Sequence, residues 1–148
     1  MTGQRCHHVL TISSSLAAVA EVVQVVINEA LTLQYTDHAV FAIRLALEEA
    51  LVNAIRHGNG SDPQKKVQID YAVTSRQVTI TVCDEGSGFH PEHVPDPTLD
   101  ENLRKPYGRG VLLMKAYMDK VTFNKQGNCV TMVRRRRNTT FPPIHPCQ

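Results

Sequence analysis

The sequence predicts an α+β two-layer sandwich, with a mixed, mostly antiparallel sheet and the helices on one face of it. Three observations carry that expectation. Two neighbouring segments alternate apolar and polar residues, with Val67, Ile69, Tyr71 and Val73 in one and Val78, Ile80 and Val82 in the other. A period of two reads as an antiparallel hairpin with one buried face. Two earlier segments repeat apolar residues at helical spacing instead. The resulting order, β-α-α-β-β-loop-α-β-β, groups antiparallel strands and helices into two layers.

Taken in order, residues 7–13, "HHVLTIS", form the first strand, and Ser13 to Ser15 supply cap candidates for the first helix. Leu16, Val19, Val23, Val26, Ile27 and Ala30 mark that helix, from Leu16 to about Leu33. "QYTDHA" breaks it, and a longer helix runs from about Asp37 to His57. "HGNGSDPQKK" has the glycine, proline and charge of a surface loop. The strands "KVQIDYAVT" and "QVTITVCD" come next, separated by Ser75 and Arg76. Residues 84–109 form a long stretch rich in glycine, proline and charge. Loops of that length inside a compact domain are commonly functional, and 90–107 is expected to act as a lid. A helix from about Gly110 to Met118 and the strands "KVTFN" and "CVTMVRRR", joined around Gln126 and Gly127, complete the chain.

At 148 residues the chain suits one domain spanning 1–148, with 138–148 as a flexible tail. Hydrophobic content of 42% and charged content of 20% match an ordinary soluble globular protein rather than a disordered or membrane-embedded one. A formal charge of +2 is too small to point to nucleic acid. Much of the positive charge sits in Arg134 to Arg137, read as a solvated strand end and tail. Cys6, Cys83, Cys129 and Cys147 contain no CxxC pair, which argues against a zinc site. Cys83 and Cys129 fall within predicted strands and are expected to pack as small apolar thiols. No charged region precedes an apolar stretch at the N-terminus, and no segment approaches the roughly 18 uninterrupted apolar residues of a bilayer span. The expectation is a cytoplasmic protein without a membrane partner.

Three features carry chemistry. In "LEEALVNAIRHG", Glu49 shares a helical stripe with Asn53 and Arg56, flanked by the small residues Ala42 and Ala46. Glu48 points about 100° away, toward Arg44 and a solvent-facing ion pair. In "DEGSGF", Asp84 ends a strand, where its carboxylate suits an exocyclic amine, and Gly86 and Gly88 let the chain pass close to a purine. In "YGRGV", Gly108, Arg109 and Gly110 open a helix, where backbone amides and the helix N-terminus suit phosphates. Asn53 offers a neutral oxygen to Mg²⁺, and Arg56 lies one turn further toward a phosphate. Each feature alone has a bland explanation, as a solvated glutamate pair, a turn or a helix start. In this order they form a nucleotide site.

These motifs resemble those of the GHKL ATP-binding superfamily, and within it the anti-sigma-factor serine/threonine kinases of bacterial partner switching. The resemblance spans about residues 9 to 136 and implies the Bergerat ATP-binding fold. It places Glu49 at the general-base position and Asn53 at the magnesium position. Asp84 takes the adenine-recognising position, and Gly108, Arg109, Gly110 and the adjoining Val111 lie at the phosphates. His57 directly follows the first motif and is expected to line the pocket rather than carry phosphate. One departure stands out, since Asn128 occupies the place of the threonine usual after the glycine of the last hairpin.

By that resemblance the protein is an ATP- and Mg²⁺-dependent protein serine/threonine kinase. Its substrate would be a STAS-domain anti-sigma-factor antagonist. The second partner would be a sigma factor or another regulatory target, and family members often form homodimers. Two rivals stand beside this reading. One is a nucleotide-dependent partner-binding module of the same fold without phosphotransfer. The other is a nucleic-acid-binding domain using Arg134 to Arg137, disfavoured because aromatic residues are only 5% of the chain and Trp is absent.

Overall fold

The computed structural model describes residues 7–87 and 106–137, with side chains in the second stretch from Arg109 onward. Residues 90–105 of the expected lid, Gly88 and the tail at 138–148 lie outside the described residues, while 106 and 107, also expected in the lid, belong to a helix. The described elements are β1 (His7–Ser13), α1 (Leu16–Thr32), α2 (Asp37–Asn53), a π-helical turn (Ala54–Gly58), β2 (Lys66–Val73), β3 (Gln77–Cys83), α3 (Pro106–Tyr117), β4 (Lys120–Phe123) and β5 (Cys129–Arg135). They form the α+β sandwich that the sequence predicts.

The sheet order is β1-β2-β3-β5-β4, and every pairing among the described residues is antiparallel. Alternation in β2 and β3 sends Val67, Ile69, Tyr71, Val73, Val78, Ile80 and Val82 to the buried face. There they meet Val23, Val26 and Ile27 of α1 and Ile43, Leu47 and Leu51 of α2 in one core. Both long helices begin on side-chain caps that satisfy free N–H groups. Ser15 Oγ accepts the N–H of Ala17 at 3.3 Å, and Thr36 Oγ1 accepts that of Ala39 at 3.1 Å. In the β4–β5 turn, Gly127 sits at φ 78°, a conformation that favours glycine.

Five expectations need correction. The long helix reaches Gly58, but its last turn widens into a π-helix at Ala54–Gly58. The third helix starts at Pro106 rather than Gly110, because proline needs no hydrogen-bond acceptor in the first turn. Gly58 and Asn59, read as surface loop, lie inside the fold, with Asn59 only 2% exposed. Cys83 and Cys129 are not free thiols: they face each other in the β3–β5 register and form a disulfide.

The arginine run is the fifth. Arg134 is buried, and its guanidinium donates to the carbonyl of Tyr117 at the end of α3 at 2.8 Å. Arg136 stacks over the Tyr35 ring, 4.2 Å from its centroid, and donates to the Leu33 carbonyl. Arg137 pairs with Asp119 at 2.6 Å. The strand end therefore ties β5 to α3 and to the α1–α2 turn. Among the described residues, no helix is long and apolar enough to cross a membrane.

Candidate functional site

A cavity opens between the C-terminal half of α2, α3 and the ends of β3 and β5. Asn53 and Asp84 both line it, with Ala50 and Ala54 from the helix, Met114 from α3, and Phe123 and Asn128 from the last hairpin. The two alanines leave the helix surface low enough for the cavity to exist. Most of the lining is apolar, with Asn53, Asp84 and Asn128 as its polar residues, the pattern of a small-molecule site.

Glu49 lies one turn before Asn53 on the same helical face, as its stripe predicts. Ala42 and Ala46 are buried, and α3 packs along α2, with Phe41 meeting Tyr117 edge-on at 5.8 Å. Gly110 lies close against α2: a methyl group there would fall 2.8 Å from Asn53 Nδ2 and 2.9 Å from Glu49 Oε2. Glycine is what lets the start of α3 sit against both side chains. Burial pushes the Glu49 carboxyl above its ordinary range, and the neighbouring Glu48 charge adds to that, while Arg109 opposes it. No ion pair joins Glu48 to Arg44 among the described residues, contrary to the sequence expectation. Asn53 is buried, with 8% of its surface exposed, and its Nδ2 has no hydrogen-bond partner among the described residues.

Asp84 follows β3 directly. Burial raises its carboxyl above the usual range, opposed by the N–H of Gly86, which donates to Oδ1 at 2.8 Å, and by the Lys65 charge. Asn128, at the departure from the usual threonine, holds the Asp84 backbone from the far strand. Its carbonyl accepts the Asp84 N–H at 2.9 Å, and its Nδ2 donates to the Asp84 carbonyl at 3.3 Å. The disulfide joins the residue before Asp84 to the residue after Asn128.

The remaining predicted residues are less concentrated. Arg56 and His57 sit on the π turn, exposed. A π-helical turn holds more residues than an α-helical one, so the α-helical projection no longer applies beyond Asn53. Partial desolvation lowers the His57 pKa and the adjacent Arg56 charge lowers it further, both favouring the neutral imidazole. Gly108 to Gly110 are the third to fifth residues of α3, and Val111 has its side chain in the core. Among the described residues, no cluster of three or more His, Cys, Asp or Glu side chains could hold a metal ion.

Sequence reasoning missed Gly58. A methyl group on Gly58 would lie 2.2 Å from Asp84 Oδ2, and one on Gly86 would lie 1.9 Å from the Gly58 carbonyl oxygen. The signal is present in "RHGNG", but a glycine beside asparagine reads as a turn unless its contact across the fold is known.

This fold, with its cavity walled by a helical asparagine and a strand-end aspartate, has a counterpart in a known class. The sequence pattern of the histidine kinase-like ATPase domain matches residues 12–134. The anti-sigma F factor of Geobacillus sp. (strain WCH70) is 30% identical over 105 residues, covering 66% of this chain and 68% of that protein. The anti-sigma F factor of Clostridium perfringens (strain SM101 / Type A) is 29% identical over 106 residues, covering 66% and 72%. The serine-protein kinase RsbW of Bacillus subtilis (strain 168) is 28% identical over 109 residues, covering 68% and 67%. The chain belongs to the histidine kinase-like ATPase family, in the branch of the anti-sigma-factor serine kinases.

Proposed function

We propose that this protein is an ATP-dependent serine/threonine kinase of the anti-sigma-factor type. It phosphorylates a STAS-domain antagonist and sequesters a sigma factor or another regulatory target. The observation that carries this reading is the meeting of Glu49, Asn53 and Gly110 beside a cavity that also holds Asp84. A base and a phosphate cradle then stand near one part of the cavity, and a purine-reading carboxylate in its wall.

In this reading Asp84 accepts the exocyclic amine of adenine, and the first turn of α3 receives the phosphates through the free N–H groups of Gly108 and Arg109, with Gly110 and Val111 following in the next turn. Arg56 and His57 border the nucleotide from the π turn. Glu49 accepts the proton of the substrate hydroxyl as its oxygen bonds to the γ-phosphorus, and the β–γ bridging bond breaks to leave ADP. The raised pKa of Glu49, chiefly from burial, strengthens it as a base. Arg109 offsets charge on the transferring group.

The Asn53 side chain fits a magnesium–triphosphate group. Its oxygen is a hard, neutral ligand, and its unpartnered N–H lacks an acceptor that a phosphate oxygen would supply. Mg²⁺, when bound, reduces the negative charge of the triphosphate.

The test is single-turnover transfer of labelled γ-phosphate from Mg²⁺·ATP to a serine of the STAS-domain antagonist from the same cell. Stoichiometric labelling is the expected result. Tight ATP binding with no transfer to that protein would contradict the kinase reading.

A further inference from the structure

Asn59 follows the π turn, is almost wholly buried, and plays no part in the nucleotide contacts described above. Its side chain joins three separate parts of the chain. Oδ1 accepts the N–H of Glu85 at 2.7 Å, while Nδ2 donates to Ser14 Oγ at 2.9 Å and to the Lys66 carbonyl at 2.9 Å. Ser14 Oγ in turn donates to the Lys65 carbonyl at 2.9 Å. The Glu85 carboxylate closes the circuit by accepting the Lys66 N–H at 2.5 Å. Both amide protons of Asn59 are used, so this buried group is fully occupied within the protein.

The peptide that Asn59 grips is the one directly after Asp84. Asn128 holds the same segment from the opposite side, through the N–H and carbonyl of Asp84. Gly58, adjacent to Asn59, supports the Asp84 carboxylate from below, at a contact too close for any side chain. Residues 58 and 59 thus form the bed on which Asp84 to Gly86 rest. A hydrogen bond to a purine edge weakens steeply with distance and angle, so the position of the Asp84 carboxylate matters as much as its charge.

We propose that Asn59 is a positioning residue for base selection: by holding the Glu85 peptide it sets the Asp84 carboxylate for adenine, without touching the nucleotide. This rests on the reading of Asp84 as the adenine acceptor. A merely structural role would lower the affinity for every nucleotide together. Positioning lowers the affinity for ATP and leaves that for GTP, which gains nothing from the carboxylate.

The test measures ATP and GTP dissociation constants for the full chain as wild type, Asn59→Ala, Asn59→Asp and Ser14→Ala, with amide exchange at Glu85. The wild type is expected to prefer ATP, and Asn59→Ala to reduce that preference by about tenfold, the scale of one lost directional hydrogen bond. GTP affinity should stay within about twofold, and the Glu85 N–H should exchange faster. Asn59→Asp keeps the acceptor for Glu85 but faces the Lys66 carbonyl without a donor, and Ser14→Ala removes one acceptor. Both should give smaller losses in the same direction, and they carry the test if Asn59→Ala does not fold. Unchanged preference in the folded variants, or parallel loss of ATP and GTP affinity, overturns the positioning role. A wild type without ATP preference overturns the reading of Asp84 itself, and the positioning role with it.

Discussion

Asp84 and Glu49 are carboxylates whose ionised forms the fold disfavours, each chiefly by burial. An unfolded Asp84 titrates near the ordinary aspartate value of 3.8 and the folded one higher, so its contribution to stability is present below that value. That contribution is lost as pH rises through the folded pKa. Asp84→Asn removes the buried charge and should raise Tm at pH 7, with the difference shrinking as pH falls through the folded pKa and gone below the unfolded value of 3.8. The same change turns an acceptor into a donor facing the adenine amine and should weaken ATP binding by about 1–3 kcal/mol. Calorimetry and nucleotide titration on one pair of proteins check both. A variant less stable than wild type at pH 7, or equal to it for ATP, would contradict this account. For Glu49, the acid limb of the transfer rate should lie above the normal glutamate range, read from a pH–rate profile.

The disulfide and the arginine run act between elements. Cys83 and Cys129 are 46 positions apart, and a cross-link closing a loop of that length contributes up to about 4 kcal/mol in chain-entropy terms. Cys129→Ser with Cys83→Ser should lower the denaturation midpoint, and a reductant should lower the wild-type midpoint but not that of the double variant. Arg134→Ala leaves the Tyr117 carbonyl without its donor at the end of α3 and should cost about 1–3 kcal/mol of stability. ATP affinity of the folded protein should change little, because Arg134 does not line the cavity. Strand alternation made β2 and β3 legible in the sequence, and helical periodicity α1, since each depends on which face is buried. The π turn was not legible, because "AIRHG" has ordinary helical composition. Nor was the disulfide, which depends on the β3–β5 register, and a one-residue slip would have sent one of the two side chains to the opposite face.

At the scale of the whole molecule, the candidate site gathers residues from both ends of the chain through the order β3-β5-β4 and the packing of α3 on α2. Sequence order alone brought Glu49, Asn53, Asp84 and Gly110 together as a set, because each motif has its own chemistry. It marked Asn128 only as a departure, without its hold on the Asp84 backbone, and could not supply Gly58 and Asn59, which matter only through contacts across the fold. The central claim is that Glu49 is a base and not only part of a nucleotide pocket. Labelled phosphate transfer to the STAS-domain antagonist, measured beside ATP affinity in wild type, Glu49→Gln and Glu48→Gln, tests it most directly. Glu49→Gln should bind ATP within a few-fold of wild type and lose roughly 10²-fold or more in transfer, while Glu48→Gln transfers nearly as the wild type does. Transfer at the wild-type rate by Glu49→Gln, or equal losses in the two variants, would contradict it.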